Sequence, residues 1–302
     1  MNRIPFLKMH GLGNDFVVID RRSGPARGLA LDARQIRRIS DRRLGVGCDQ
    51  FILIDPAEDD PLAAGGADAV MRIHNADGGE VEACGNATRC VGFLLMAETG
   101  LARTTIATAA GHLLASADGE GTAAGLITVD MGPARLDWQQ IPLSGPADTL
   151  HLADTLRLAD TLRLDGVSEG PLTDPVAVNV GNPHVVFFVD DAEAVDLERL
   201  GPPLEHHPAF PRRTNVEVVH LIGPDRIRMR VWERGVGITA ACGTGACAAA
   251  IAAIRRGLTG RTVQVVLDGG PLSITWTDDN RVLMSGPVAT SFEGTLDPSL
   301  LA

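Results

Sequence analysis

At 302 residues the chain is long enough for two domains of ordinary size, and 45% hydrophobic with 22% charged residues is the composition of a soluble globular protein. A net charge of −11 argues against nucleic acid or an anionic membrane as the main partner. No basic segment followed by an apolar core opens the sequence, so the five cysteines (48, 84, 90, 242 and 247) are expected as free thiols in a reducing cytoplasm.

In chain order, residues 4–9 and 16–19 are expected as strands around a turn over 10–15. Lys8, inside the first strand, is the only lysine of the chain. A pyridoxal phosphate enzyme needs a Schiff-base lysine, and this one sits two residues before a glycine-rich turn, so no such cofactor is expected. Asp32 followed by Gln35 has the form of a capping box, which predicts a helix over 33–43. A short buried strand over 51–54 leads into a loop over 55–68 rich in Asp, Ala, Gly and Pro. Residues 69–73 form a strand, 75–84 a loop, and a long apolar helix then runs to Gly100-Leu101. Short strands follow to Met131. The stretch 148–165 nearly repeats a six-residue unit three times, and we assign it no chemistry. Strands resume at 176–180 and 185–189. A short helix is predicted over 191–200, a loop over 202–211, and strands over 216–222 and 227–232. A second apolar helix follows Cys242 and ends at Gly257-Leu258. Its surroundings, 236–254, form an uncharged run, but one of mostly Ala, Gly and Thr, which suits a buried helix rather than a membrane span. The end of the chain returns to strands. Many short strands with one dominant apolar helix per half predict an α+β fold, with a curved, mostly antiparallel sheet wrapped around a central helix in each of two pseudo-symmetric domains.

That symmetry is written in the sequence. Met71-Arg72-Ile73 … Gly79 … Ala83-Cys84-Gly85 recurs without a gap as Met229-Arg230-Val231 … Gly237 … Ala241-Cys242-Gly243, with six of fifteen positions identical. Upstream, Gly13-Asn14-Asp15-Phe16 is echoed by Gly181-Asn182-Pro183-His184, and downstream Met131-Gly132-Pro133 by Met284-Ser285-Gly286-Pro287. Residues 1–131 with 284–302 form one expected half, and 132–283 the other.

Each repeated cysteine stands just before its apolar helix. Free backbone N–H groups and the positive helix end lie there, which favours thiolate and can hold a substrate carboxylate. Two equivalent thiols facing each other across one cleft would be a pair of opposed acid/base groups, which inversion at a carbon stereocentre requires. Cys48, Cys90 and Cys247 lack the paired context and are expected as small core hydrophobes. His10, His74, His184 and Glu233 are polar residues at turns beside the repeats. No CxxC pair is present, so no structural metal is expected.

With these motifs in hand, the chain resembles the diaminopimelate epimerase family. The matching segments are HGLGNDF (10–16), GCDQ (47–50), NADG (75–78), ACGN (83–86), GNPH (181–184), TNVE (214–217), ERGVG (233–237) and ACGTGACAA (241–249). The resemblance implies cofactor-independent interconversion of LL- and meso-2,6-diaminopimelate. By it Cys84 and Cys242 are catalytic, and Asn14, Gln50, Asn75, Asn182 and Asn215 are polar substrate contacts. Gly85-Asn86, Glu233-Arg234 and Gly243-Thr244 are further binding pairs, and His184 and Glu233 tune the cysteines. It also implies a homodimer with Phe292 near the contact, and no metal. Ile238, Ala87 and Cys48 depart from the family's usual residues. Two other readings stay open: a racemase of the same fold acting on another amino acid, such as histidine, and a thiol redox or binding protein. The array Asn75, Asn182, Asn215 and Arg234 favours the first reading over both, because it suits a second amino-acid head group at the far end of a substrate.

Overall fold

In the computed structural model, residues 3–58, 60–82, 84–117, 125–153 and 172–302 are described. Most of the tandem repeat, from residue 154 on, lies outside them, as does Ala83 of the first cysteine motif. The elements run β1 (Ile4–Gly11), β2 (Asn14–Asp20), α1 (Ala33–Ser40), β3 (Gln50–Pro56), β4 (Ala69–Asn75), β5 (Glu80–Val81), α2 (Gly85–Thr99), β6 (Arg103–Thr108), β7 (Gly111–Ser116) and β8 (Leu126–Pro133). They continue with β9 (Val176–Asn179), β10 (Pro183–Phe188), α3 (Leu197–Glu205), β11 (Asn215–Gly223), β12 (Arg226–Glu233), β13 (Gly237–Ile238), α4 (Gly243–Arg255), β14 (Thr262–Leu267), β15 (Gly270–Trp276), β16 (Arg281–Pro287) and β17 (Ala289–Leu296). The architecture is α+β, mostly antiparallel, with few helices, as the sequence predicts.

Two compact units divide the chain: Met1–Asp130 with Ser285–Ala302, and Met131–Met284. In the first, β2 runs antiparallel to β1 and parallel to β3, β3 is antiparallel to β4, β4 is antiparallel to β5 and parallel to β6, and β6 is antiparallel to β7. The second repeats every one of these relations in β9 to β15. Helices fall at the same places: α1 and α3 in the first parallel crossover of each unit, α2 and α4 in the second.

Each sheet buries both faces. Val17, Ile19, Phe51 and Leu53 pack with Ile36 and Ile39 of α1, so by strand alternation Phe16, Val18, Ile52 and Ile54 occupy the opposite face. Val185, Phe187, Val216 and Val218 pack likewise with Leu197, Leu200 and Leu204 of α3, and the opposite face carries His184, Val186, Glu217 and Val219. The inner helices are apolar nearly all round, which is the pattern of a core helix. In α4 every residue from Gly245 to Ala253 is buried. Gly92 lets α2 approach the sheet, since a Cβ there would lie 2.5 Å from the Cβ of Ala115.

Two helices differ from expectation. The capping box of α1 is present, with the Asp32 carboxylate accepting from the Gln35 N–H, but the helix stops at Ser40. Asp41 turns the chain there by accepting the N–H groups of Arg43 and Leu44, each at 2.7 Å. The helix predicted over 191–200 instead begins at Leu197, capped by Asp196, and runs through Pro202 and Pro203 into the expected loop. Its buried Leu197, Leu200 and Leu204 hold the turns that two missing N–H donors weaken.

Candidate active site

In each unit the polar residues singled out from the sequence gather at one end of the sheet. Strand direction explains why. Asn14 opens β2, Gln50 opens the parallel β3, and Asn75 closes the antiparallel β4 in register with Gln50. The chain then turns through β5 and enters α2 with Cys84 as N-cap, in extended backbone. The second unit does the same: Asn182 precedes β10, Asn215 opens β11, Glu233 closes β12, and Cys242 caps α4.

In the first unit the half-buried Cys84 places its Sγ 3.9 Å from Asn14 Oδ1, which also accepts from Asn86 Nδ2 at 3.1 Å. Gln50 Nε2 donates to Asn75 Oδ1 at 3.3 Å. Behind Asn14 lies a charged network the sequence reading did not foresee. Asn14 Nδ2 donates to Asp49 Oδ2 at 3.1 Å, Arg42 bridges Asp49 and Asp15, and Lys8 donates to Asp15 at 2.6 Å and to the Gly47 carbonyl. Burial by itself pushes the Asp15 carboxyl up, but bonds from Arg42 and Lys8 and a backbone N–H outweigh it and hold it well below the usual carboxylate range. The only lysine is thus a buried partner of a carboxylate.

In the second unit Cys242 is buried, and its sulfur accepts the Gly245 N–H at 3.3 Å and lies 3.6 Å from Thr244 Oγ1. Here the expected thiolate-favouring helix start is overridden. Burial pushes the Cys242 thiol well above its ordinary value, and the carboxylate of Glu233 pushes it further, beyond what Thr244 and the Gly245 N–H return. Glu233 accepts from Thr239 Oγ1. Asn215 donates to the Pro183 carbonyl at 2.9 Å and accepts the Arg234 N–H at 2.9 Å, while the Arg234 guanidinium donates to the Arg212 carbonyl at 3.1 Å. His184 Nδ1 lies 2.7 Å from Glu217 Oε1, and its Nε2 lies 2.7 Å from Asn182 Oδ1. Gly85 and Gly243 supply the first turn of their helices. Phe292 lies on β17, half exposed and edge-on to Phe6 at 6.1 Å.

Glu217 was not singled out from the sequence. The signal was present: one acid inside the valine-rich strand Asn215-Val216-Glu217-Val218-Val219, the last residue of the TNVE segment. Cys48, Cys90 and Cys247 are buried core thiols, as expected, and burial pushes Cys90 up to about 12. His10 lies on β1, and burial draws His74 on β4 down. Among the described residues, no helix is long and apolar enough to cross a membrane.

The fold and its paired helix-capping thiols define a class. A hydroxyproline epimerase from Agrobacterium vitis superposes with a TM-score of 0.64 at 16% identity, covering 100% of this chain and 94% of that one. A phenazine biosynthesis protein from Bacillus anthracis superposes at 0.66 and 17% identity, covering 98% and 99%. At such identities the likeness is one of fold. Sequence narrows it. The profile of the family described as diaminopimelate epimerase matches residues 6–136 and 176–290. Diaminopimelate epimerases from Rhodospirillum centenum and Acidiphilium cryptum are 54% and 53% identical, covering 98% and 99% of this chain and 93% and 98% of their own. The chain belongs to the diaminopimelate epimerase family, as its motifs led us to expect.

Proposed function

We propose that the protein is a cofactor-independent epimerase interconverting LL- and meso-2,6-diaminopimelate in lysine and peptidoglycan biosynthesis. One observation carries this reading: in a chain of this family, each half caps its inner helix with a cysteine at the sheet end where its amides gather. The two units are the two epimerase halves. One cysteine, as thiolate, takes the α-proton: the C–H bond breaks, an S–H bond forms, and the electron pair moves onto the substrate carboxylate as an enolate. The other cysteine, as thiol, gives its proton to the opposite face of the carbon and keeps the electron pair on sulfur. The backbone N–H groups opening α2 and α4 are the donors suited to the enolate oxygens. One proton is held between the two thiols, so their titration is coupled. Burial, which raises the Cys242 thiol, favours its protonated form.

Asn14, Gln50, Asn75, Asn182 and Asn215 orient the substrate, with Gly85-Asn86, Glu233-Arg234 and Gly243-Thr244 as further contacts. Arg234 supplies a fork for the distal carboxylate. His184 and Glu233 tune the sulfurs. The enzyme works as a cytoplasmic homodimer with Phe292 at the contact, and needs neither metal nor pyridoxal phosphate.

The test is incubation of LL-diaminopimelate with the purified protein in deuterated water. The expected result is meso product carrying deuterium at the inverted centre, without any added cofactor. Cys84→Ser and Cys242→Ser should each slow inversion by about 100-fold or more, the scale of losing a positioned general acid or base. Full activity in either variant, or dependence on added pyridoxal phosphate, counts against the reading.

A further inference from the structure

Glu217 and His184 are a buried polar pair at positions where the other half of the molecule has none. His184 stands in register with Asn215, and Val186 with Glu217. In the matching strands of the first unit, Phe16 stands in register with Gln50, and Val18 with Ile52. His184 therefore corresponds to Phe16, and Glu217 to Ile52. Phe16 and Ile52 are fully buried core residues, so this architecture is satisfied by apolar side chains at both places. His184 and Glu217 have side-chain exposures of 0% as well. Putting two titratable groups there costs desolvation that the fold does not require.

The hydrogen bonds indicate what they do. Asn182 Oδ1 is an acceptor, so the ring nitrogen facing it, His184 Nε2, carries the hydrogen. The other nitrogen then offers a lone pair to Glu217 Oε1 at 2.7 Å. Glu217 Oε2 is buried without a hydrogen-bond partner among the described residues, which suits a neutral acid better than a carboxylate. Burial also pushes the Glu217 carboxyl up, against the opposing pull of His184. A protonated Glu217 donates to Nδ1, and His184 donates from Nε2 to Asn182. The Asn182 oxygen is occupied, and its NH2 is left to face outward.

Among the described groups, the other charge that acts on the pair is Glu233, which also pushes the Glu217 carboxyl up. Strands β9, β14 and β15, packed on α4, contain no titratable residue. On β12, Arg228 and Arg230 are engaged with Glu193, and Glu233 stands beside Cys242. On β11, His220 accepts the Ala192 N–H at 3.0 Å. The position of a Cβ on Gly245 would lie 3.0 Å from Glu217 Oε1 and 3.2 Å from Cys242 Sγ, so the pair flanks the same spot as the thiol.

We infer that Glu217 is a positioning residue: through His184 it fixes the Asn182 amide with its NH2 turned toward substrate. The inference rests on the proposed reading that Asn182 contacts diaminopimelate. Two variants and one spectroscopic measurement test it. Glu217→Leu removes the donor to Nδ1, and Glu217→Gln keeps one in its amide NH2. With Leu, the KM for diaminopimelate should rise by about tenfold or more, the loss of one hydrogen bond to a charged group, with a smaller fall in kcat. With Gln, both constants should stay within about threefold of wild type. Nitrogen-15 NMR of the histidine rings, with His184 identified by the signal that His184→Gln lacks, should show hydrogen on Nε2 in wild type and the Gln variant. An unchanged KM in the Leu variant, a raised KM in the Gln variant, or hydrogen on Nδ1 in wild type overturns the inference. If the Leu variant fails to fold, the wild-type spectrum and the Gln variant decide. Absence of turnover by wild type refutes the proposed function instead, and the NMR measurement needs no substrate.

Discussion

At the two helix-capping cysteines, the same backbone position gives different surroundings. Cys84 is half-buried beside Asn14, while Cys242 is enclosed with Glu233 and Glu217 close by. Burial, reinforced by the Glu233 carboxylate, holds Cys242 as the thiol at neutral pH. Alkylation of Cys242 by iodoacetamide, followed by mass mapping, should therefore have a pH midpoint above the ordinary thiol range of roughly 8.5. A midpoint near 8 or below would show that the helix start outweighs burial. Asp15 makes the opposite case. Its carboxyl is depressed in the folded protein, so its contribution to stability is present above the unfolded value of about 4 and is lost as pH falls toward the folded one. Asp15→Asn strands the Lys8 ammonium and should cost about 1–3 kcal/mol at pH 7. In urea titrations the gap to wild type should narrow below about pH 4. A gap that stays constant to pH 3 would place the effect elsewhere. The two cysteines, Asn14 and Asn182 were legible because repetition singled them out, whereas Gln50, Asn75 and Asn215 came only with the family resemblance. Glu217 and the Lys8–Asp15–Arg42–Asp49 network were not, since pairing across strands depends on register, which no local motif states.

Among the elements, the inner helices depend on small residues at their closest approaches. At Gly92 a Cβ would meet Ala115 Cβ at 2.5 Å, well inside contact. Alanine gains about 1 kcal/mol of helix propensity over glycine, whereas overpacking a tight core costs about 1–3 kcal/mol. Gly92→Ala should thus destabilise the fold in denaturant titrations. Adding Ala115→Gly should recover much of the loss, a coupling that appears in the double-mutant cycle. Equal stability of both single and double variants would mean that α2 shifts freely on β7. The capped ends of α1 and α2 were readable because Asp32, Gln35 and Gly100 act locally; Gly100 takes the left-handed conformation at φ 70° and donates its N–H to the Met96 carbonyl. The start and end of α3 were not. Pro202 and Pro203 are local breakers, and only the burial of Leu200 and Leu204 in the surrounding cluster, a tertiary effect, carries the helix through them.

Considered as a whole molecule, the chain leaves one strand without an obvious reason for its sequence. Along β17 the first five residues, Ala289 to Glu293, are all exposed, so neither face of that stretch enters a core. A strand that buries one face shows alternation, and this one does not. It nevertheless pairs antiparallel with β1, where Phe292 stands opposite Lys8. Phe292, at 50% exposure, is a large aromatic placed on that surface and braced edge-on by Phe6. Aromatic residues at the centre of an interface commonly dominate its energy, and a stable contact needs roughly 800 Å² from each partner, far more than one ring supplies. The homodimer proposed above would bury this strand together with its neighbours. Sedimentation equilibrium should accordingly give the mass of two chains for wild type. Phe292→Asp puts an unpaired carboxylate at the contact of a chain that already carries −11, and should shift the population toward single chains while far-UV circular dichroism stays unchanged. Wild type sedimenting as a single chain, or a variant dimer as tight as wild type, would remove β17 from the interface and leave its exposed run to be explained by its pairing with β1 alone.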